Sequence, residues 1–146
     1  MVTGVDIVRE ARTWLNTRWR HQGRVKGVAV DCIGLVGGVA LQLDIPGARE
    51  WYDDKSLHRY GRIPDPEFIY AGCERFMDRI AIDDVRPGDV VVMAFERDPQ
   101  HFAIVSAVNP MYLIHAYTAV RKVVENGAAI WRGKILRAYR FRGLAE

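Results

Sequence analysis

Three residues of this sequence could together perform nucleophilic catalysis: Cys32, His101 and His115. Cys32 follows an aspartate and opens an apolar segment that is long enough for a buried helix. A helix N-terminus presents unpaired N–H groups and a partial positive charge, both of which favour a thiolate. A neighbouring imidazolium favours the thiolate further. Free cysteines are also common as small core residues, so the position alone leaves both roles open.

The two histidines are predicted to lie in neighbouring strands. His101 begins the segment HFAIVSAV, where a histidine would be both held and accessible, and His115 lies in YLIHAY. A hairpin around Asn109 and Pro110 would bring the two rings together at its open end. Because His101 and His115 are spaced unequally from this turn, the hairpin requires a bulge or an irregular loop.

These three residues can be combined in two ways. In a cysteine–histidine dyad, Cys32 attacks a carbonyl carbon, and His101 keeps it as thiolate and protonates the leaving amine. His115 then bonds to the far nitrogen of His101 and selects its tautomer, while N–H groups at the start of the helix stabilise the oxyanion. In the alternative, the same three side chains bind a zinc ion.

The hydrophobic pattern predicts helices in the first half of the chain and strands in the second. Helices are predicted over 4–16 and 32–43 and from Asp65 to about residue 80, with irregular chain over 16–31 and 44–64. Strands are predicted over 90–95, 102–108, 112–117 and 120–125, with an edge strand over 135–141. This order indicates an α+β fold with the N-terminal helices packed on an antiparallel sheet. Gly37 and Gly38 lower the helix propensity of their segment, so we expect a close packing contact there.

Composition limits the classes of protein that fit. The chain has 146 residues, of which 49% are hydrophobic and 27% charged, as expected of one globular domain over 1–146. The two cysteines, Cys32 and Cys73, argue against a disulfide framework, and Cys73 is expected to be structural. No pattern of a membrane span or a secretory signal is present, so we expect cytosolic synthesis without self-encoded export and no membrane insertion. Nucleotide and zinc-ribbon motifs are absent, and no cofactor is expected.

Charge is distributed unevenly along the chain. Residues 1–30 carry six bases and two acids, residues 44–100 carry eight bases and thirteen acids, and residues 121–146 carry seven bases and two acids. A fold that brings the ends together would form a positive face that could meet nucleic acid or another anionic polymer. A solvated surface of mixed charge explains the same pattern, and no specific nucleic-acid partner is expected.

Five segments, in this order, resemble the NlpC/P60 family of cysteine peptidases over nearly the whole chain. They are WLNTRWRHQG (14–23), VDCIGLV (30–36), RPGDVVV (86–92), HFAIV (101–105) and IHA (114–116). The resemblance implies a papain-like α+β fold and cleavage of peptidoglycan stem peptides, commonly between D-γ-glutamate and a diamino acid. It places Cys32, His101 and His115 at the nucleophile, base and orienting positions.

The same resemblance indicates the substrate-binding residues and where this chain differs. Trp19 stands where the family usually has tyrosine, and Ile33 where it often has a serine that helps to recognise the substrate's free amine. Asp31 is expected to pair with that amine, and His21 is expected either near the cleft or exposed in a loop. Residues 44–80 are expected to be a family-variable insertion that covers the cleft or contacts a partner.

The sequence is most similar to the short peptidases encoded in the tail-gene clusters of phages and phage-like gene transfer agents. This similarity implies assembly with tail-tip or hub proteins and incorporation into a particle tail. Two alternatives stay open: an amidase or acyltransferase on the same fold, and a catalytically silent structural tail-tip component.

Overall fold

The computed structural model describes residues 1–61, 65–95 and 98–145, and its elements follow the α+β order. The α-helices are α1 (Gly4–Arg12), α2 (Cys32–Gln42), α3 (Ala48–Asp53) and α4 (Pro66–Phe76). The strands are β1 (Arg24–Val25), β2 (Ala29–Val30), β3 (Met77–Ile80), β4 (Val90–Phe95), β5 (Asp98–Ala107), β6 (Tyr112–Tyr117), β7 (Lys122–Gly127) and β8 (Ile135–Phe141). Short 3₁₀ turns cover Lys55–His58, Ile82–Asp84 and Ala129–Lys134.

Strands β3 to β8 form an antiparallel six-stranded sheet in the order β3-β8-β4-β5-β6-β7. The predicted α+β class is therefore confirmed. The prediction that 135–141 is an edge strand is wrong, because β8 lies between β3 and β4. Burial of Ala138 and Tyr139 matches this interior position.

The third predicted helix ends earlier than its apolar spacing indicates. Helix α4 stops at Phe76, and Met77–Ile80 forms β3 instead. Met77 pairs with Phe141 and Ile80 with Ala138 of β8. Pairing with a strand whose residues lie 58 to 64 positions later in the chain, from Ala138 opposite Ile80 to Phe141 opposite Met77, overrides the local helical pattern.

Helix α1 begins as predicted and ends at Arg12 rather than at residue 16. Thr3 and Asp6 form a reciprocal capping box at its N-terminus. Asn16 has a φ of 71°, a left-handed conformation that does not continue a helix. The predicted loop over 16–31 contains a short hairpin, in which Arg24 pairs with Val30.

Helix α2 is buried along most of its length and contacts two tryptophans at its paired glycines. A β-carbon on Gly37 would lie 2.1 Å from the ring of Trp51, and one on Gly38 would lie 2.4 Å from the ring of Trp14. These distances confirm the predicted close contact, since no side chain fits there.

The two faces of the sheet carry separate hydrophobic clusters. One cluster joins the helices to the sheet and contains Cys32, Leu35, Phe102, Ile104 and Ile114. The other covers the opposite face and contains residues that alternate with these along the strands, including Val91, Met93, Ala103, Val105 and Leu113. Helix α2 packs against β5 and β6 and so fixes Cys32 relative to these strands.

The segment 44–80 is more regular than predicted. It contains α3, a 3₁₀ turn and α4 before β3, while residues 62–64 lie outside the described part of the chain. Trp51 and Tyr60 join the segment to α2 and to its N-terminal aspartate, respectively.

The two ends of the chain meet in the structure. Thr3 forms a bridge with Ala145, and Ala145 N–H donates to the carbonyl oxygen of Val2. Four arginines of the two ends are nevertheless paired with acids: Arg12 with Glu125, Arg137 with Glu74, Arg140 with Asp89 and Arg142 with Asp78. These pairs reduce the positive charge available for an anionic polymer. No helix in the described ranges is long and apolar enough to cross a bilayer.

Candidate active site

His101, His115 and Asn126 form a continuous chain of hydrogen bonds across three neighbouring strands. His101 Nε2 lies 2.7 Å from His115 Nδ1, and His115 Nε2 lies 2.9 Å from Asn126 Oδ1. In the β6–β7 register His115 lies opposite Val124, so Asn126 is its diagonal neighbour on the same face. The structure thus brings together the two histidines that the sequence singled out and adds an asparagine that it did not.

The direction of these bonds determines the tautomers of both rings. Asn126 Oδ1 is an acceptor, so the proton of a neutral His115 is on Nε2 and its Nδ1 accepts. His101 Nε2 must then donate to His115 Nδ1. In the neutral ring of His101 the basic nitrogen is consequently Nδ1, the atom that can take a proton from an acid.

Aromatic rings enclose the histidine pair. Phe95 stacks on His101 with ring centroids 4.9 Å apart, and Tyr117 stacks on His115 at the same distance. Trp131 contacts His115 edge to face. Both histidine side chains are 0% exposed. The prediction that His101 is accessible from a loop is therefore wrong, because β5 begins before His101 and Phe95 covers the ring.

The hairpin between β5 and β6 contains the irregularity that the unequal spacing predicts. Ile104 pairs with Ile114 and Val105 with Leu113, and the register shifts between Val105 and Ala107. The shift is one residue, and in the register beyond it Ala103 falls opposite His115, so His101 and His115 meet as diagonal neighbours on one face.

Cys32 is the first residue of α2, next to the strands that carry the histidines. Helix α2 has no acidic residue in its first turn, and its N-cap is Asp31, so the thiol lies at the positive end of the helix beside the capping carboxyl. Phe102 belongs to the same core cluster as Cys32, whereas His101 beside it pairs with Met93 and lies on the sheet face of the other cluster. Cys32 is 8% exposed. Cys32 and His101 thus lie on neighbouring elements of the fold, α2 and β5.

The second cysteine lies in a different environment. Cys73 is buried between α4 and the sheet, and this burial raises the pKa of its thiol to about 12. Cys73 is thus protonated at neutral pH, in agreement with the structural role expected for it.

Asp31 caps helix α2, and both oxygens of its carboxyl group accept hydrogen bonds. Oδ1 accepts from Gly34 N–H at 2.7 Å, and Oδ2 accepts from Gln22 N–H and from the Tyr60 hydroxyl, both at 2.8 Å. Burial raises the pKa of Asp31 despite these bonds, and it also raises the pKa of Tyr60 far above its usual value. The structure gives Asp31 a capping role, and binding of a substrate amine stays a prediction.

The other predicted substrate-binding residues, Trp19, His21 and Ile33, are all half-buried. His21 is half-buried and its ring meets Tyr60 edge to face, with centroids 5.6 Å apart. Ile33 and Tyr60 both line an apolar cavity of about 100 Å³ between α2 and the segment 44–80. Trp19 is half-buried against the main core and forms a bridge with Val30.

Sequence reasoning missed Asn126, Tyr60 and Gln22. Asn126 has one weak signal, since it lies two residues beyond Val124 and so shares a strand face with the residue that pairs with His115. Tyr60 gives no local signal because its partner Asp31 is 29 residues away.

The zinc alternative does not fit this geometry. No group of three or more His, Cys, Asp or Glu residues in the described ranges could hold a metal ion. His101 Nε2 and His115 Nδ1 are also bonded to each other, so neither is directed at a common ion.

No protein-family model and no curated protein sequence matches the chain, whereas solved structures match its fold. The NlpC/p60 domain of the peptidoglycan hydrolase SagA matches with a TM-score of 0.64 and 18% identity, over 96% of this chain and 100% of that domain. An NLP/P60-family protein from Staphylococcus aureus that is described as similar to lipoprotein has a TM-score of 0.63 and 16% identity. That match covers 98% of this chain and 42% of the other. An N-acetylmuramoyl-L-alanine amidase from Bacteroides uniformis has a TM-score of 0.63 and 14% identity over 95% of this chain and 98% of the amidase. The helices and antiparallel sheet of this chain thus have the fold of NlpC/P60 domains.

Proposed function

We propose that this protein is a cysteine peptidase that hydrolyses peptidoglycan stem peptides. The observation that carries the proposal is the chain from His101 through His115 to Asn126, placed beside a helix that begins with Cys32. The peptidoglycan hydrolases among the structures of similar fold support the substrate class.

In the proposed reaction the Cys32 thiol gives its proton to His101 Nδ1, and the thiolate attacks the carbonyl carbon of the scissile bond. N–H groups of the first turn of α2 bind the oxyanion. The imidazolium of His101, oriented by His115, donates its proton to the leaving amine, and a thioester remains on Cys32. Water then attacks the thioester with His101 as base, which releases the acid and restores the thiol.

The proposed scissile bond joins D-γ-glutamate to the diamino acid, on the strength of the motif resemblance in 14–36 and 86–116. One neighbour favours a second candidate, since the structure from Bacteroides uniformis is named as an N-acetylmuramoyl-L-alanine amidase. The two reactions leave different products. A peptidase releases fragments that begin with the diamino acid, whereas this amidase activity releases the whole stem peptide. Acyl transfer on the same fold would join an amine to the acyl fragment instead of adding water.

Digestion of purified peptidoglycan by the wild-type protein and by Cys32→Ala, with products identified by mass spectrometry, tests the proposal. We expect soluble stem-peptide fragments from the wild type, and a loss of about 10³-fold or more in Cys32→Ala. Cys73→Ala is the matched control, because it removes a thiol outside the site and should keep the activity. Equal products from Cys32→Ala, or none from the wild type with several wall types under reducing conditions, would contradict the proposal.

We further propose that the protein acts as part of a phage or phage-like particle tail, together with tail-tip or hub proteins. The similarity of its motifs to short tail-cluster peptidases supports this location. Mass spectrometry of purified particles should detect the chain in them, and its absence from particles of the producing strain would reject this location while leaving the enzymatic proposal intact.

A further inference from the structure

Arg24 is a half-buried cation close to the nucleophile helix, and it has no acidic partner among the described residues. Its Nη1 contacts His58 Nδ1, and its guanidinium lies over the ring of Trp51, 5.6 Å from the centroid. Its Nε is buried and has no hydrogen-bond partner within the described part of the chain. One N–H donor of this guanidinium is therefore unsatisfied.

The histidine that contacts Arg24 does not compensate its charge. His58 Nε2 lies 2.8 Å from the carbonyl oxygen of Trp51 and donates to it, so Nδ1 accepts from Arg24. Burial and the charge of Arg24 both lower the pKa of His58. His58 is consequently neutral at neutral pH, and it orients the guanidinium without adding a negative charge.

The position of Arg24 connects it to the active site. Arg24 pairs with Val30 in the β1–β2 hairpin, and the chain passes directly from Val30 through Asp31 to Cys32. The Tyr60 hydroxyl donates a hydrogen bond to Asp31. It lies close enough to Arg24 and to Cys32 for both to act on its pKa, which Arg24 lowers and Cys32 raises. Arg24 and Cys32 thus lie near the same phenol.

We propose that Arg24 binds a carboxylate of the substrate peptide and thereby selects peptides with a free carboxylate next to the scissile bond. A guanidinium matches a carboxylate in charge, and hydrogen bonds between two such charged groups are stronger than those between neutral groups. Stem peptides offer two such groups, the α-carboxylate of the γ-linked glutamate and a carboxylate of the diamino acid. This inference rests on the proposed function, because it assigns the substrate carboxylate to the same site.

A purely structural role predicts a different outcome. Arg24 would then only hold His58 and Trp51 against the hairpin. Its replacement would weaken the binding of all three peptides by the same factor. Dependence on the substrate's carboxylate separates the two roles, since a structural residue does not distinguish a carboxylate from its amide.

Binding to the Cys32→Ala protein tests Arg24 without turnover. The probes are the tripeptide L-alanyl-γ-D-glutamyl-diaminopimelate and two analogues, each with one of the two carboxylates converted to an amide. We expect one amidation to weaken binding about tenfold by calorimetry, which corresponds to roughly 1.4 kcal/mol. In Cys32→Ala/Arg24→Gln that amide and the parent peptide should bind equally, at the weaker affinity.

Cys32→Ala/Arg79→Gln is the matched control, because Arg79 is exposed in β3 and its replacement changes the net charge identically. It should behave like Cys32→Ala. The inference is overturned if the Arg24→Gln variant still prefers the free carboxylate, or if it binds all three peptides more weakly by the same factor. It is also overturned if no peptide binds to the Cys32→Ala protein.

Hydrolysis by the wild type is scored separately. Cleavage without an Arg24-dependent carboxylate preference overturns this inference alone, whereas failure to cleave overturns the proposed function.

Discussion

His115 stands between a donor and an acceptor: it accepts from His101 Nε2 at 2.7 Å and donates to Asn126 Oδ1 at 2.9 Å. Each bond fixes the next, so the acceptor oxygen on β7 determines which nitrogen of His101 on β5 is basic. All three side chains lie on rigid strands, and aromatic rings cover the histidines. The amide of Asn126 therefore controls the protonation of a ring that it does not touch.

Replacement of Asn126 should lower activity without unfolding the protein. In Asn126→Leu the acceptor is lost, and His115 can place its proton on Nδ1, which removes the orienting bond to His101. We expect kcat/KM to fall about 10- to 100-fold, less than the ~10⁴-fold loss caused by a wrong tautomer in direct contact with the base. Steady-state kinetics on a stem-peptide substrate measure this.

Asn126→Asp is the informative second variant, because a carboxylate also accepts from His115 Nε2. It should restore most of the activity and shift the acidic limb of the pH–rate profile upward, since the negative charge favours the charged histidine pair. An unchanged profile together with full activity in Asn126→Leu would show that Asn126 has no positioning role.

The two cysteines should differ strongly in reactivity. Cys73 has a pKa raised to about 12 by burial, so its thiolate is scarce at neutral pH. Cys32 lies at a helix N-terminus beside the histidine strands. Iodoacetamide at neutral pH should therefore alkylate Cys32 at least about tenfold faster than Cys73, as measured by peptide mass spectrometry. His101→Ala should slow the labelling of Cys32 and leave that of Cys73 unchanged; equal labelling of both cysteines in the native protein would argue against an activated Cys32.

Local signals predict part of this fold well. The capping box at Thr3 and Asp6 marks the start of α1, and the apolar run from Cys32 gives α2 in full. Both depend on residues close together in the chain. The end of α4 and the position of β8 were not predictable in this way, because Met77 pairs with Phe141, 64 residues later in the chain.

The residues of the candidate site also differ in whether the local sequence predicts them. Cys32, His101 and His115 stand out by residue type and by their neighbours in the chain. Asn126 and Tyr60 acquire their roles only from the β6–β7 register and from a contact across 29 residues. The burial of His101 also follows from strand pairing and from Phe95, neither of which the sequence alone locates.

Asp31 should titrate above the usual range for aspartate. Burial raises its pKa from the ordinary value of 3.8, so the folded protein holds this proton more tightly than the unfolded chain. The stabilising contribution of this carboxyl is thus complete below 3.8 and is lost as pH rises through the folded-state pKa. The Asp31 carboxyl carbon, followed by NMR, should show a midpoint above 3.8.

Asp31→Asn removes that titration and provides the control. Urea unfolding from about pH 3 to about pH 7 should show the stability of the wild type falling relative to Asp31→Asn as pH rises. A relative stability that rises with pH would mean that the hydrogen bonds from Gly34, Gln22 and Tyr60 outweigh burial.

Among the ion pairs of the sheet, the pair of Asp89 with Arg140 should cost the most stability when its carboxylate is removed. Its side chain is almost fully buried and accepts two hydrogen bonds from Arg140, at 2.8 and 2.7 Å, while also accepting from Arg86 N–H. Asp89→Ala leaves the cation of β8 without this carboxylate and should lower the free energy of unfolding by about 3–5 kcal/mol. Asp78→Ala, which breaks the exposed pair with Arg142, should lower it by less than about 1 kcal/mol. Equal effects of the two variants in urea unfolding would contradict this reading.

Trp51 packs so closely on Gly37 that replacing this glycine should destabilise the protein. A methyl group at Gly37 would lie 2.1 Å from the indole ring, so Gly37→Ala forces α2 away from the segment 44–80. We expect a loss of about 1–3 kcal/mol in the free energy of unfolding, measured in urea. Gly72→Ala is the matched control within α4, where a β-carbon meets nothing within 4 Å. That variant should gain about 0.5–1 kcal/mol because alanine favours the helix.

Since Trp51 also lies under Arg24, Gly37→Ala should displace the guanidinium and weaken binding of the tripeptide by Cys32→Ala protein, whereas Gly72→Ala should not. Stability and binding that both stay unchanged in Gly37→Ala would show that the indole yields without cost.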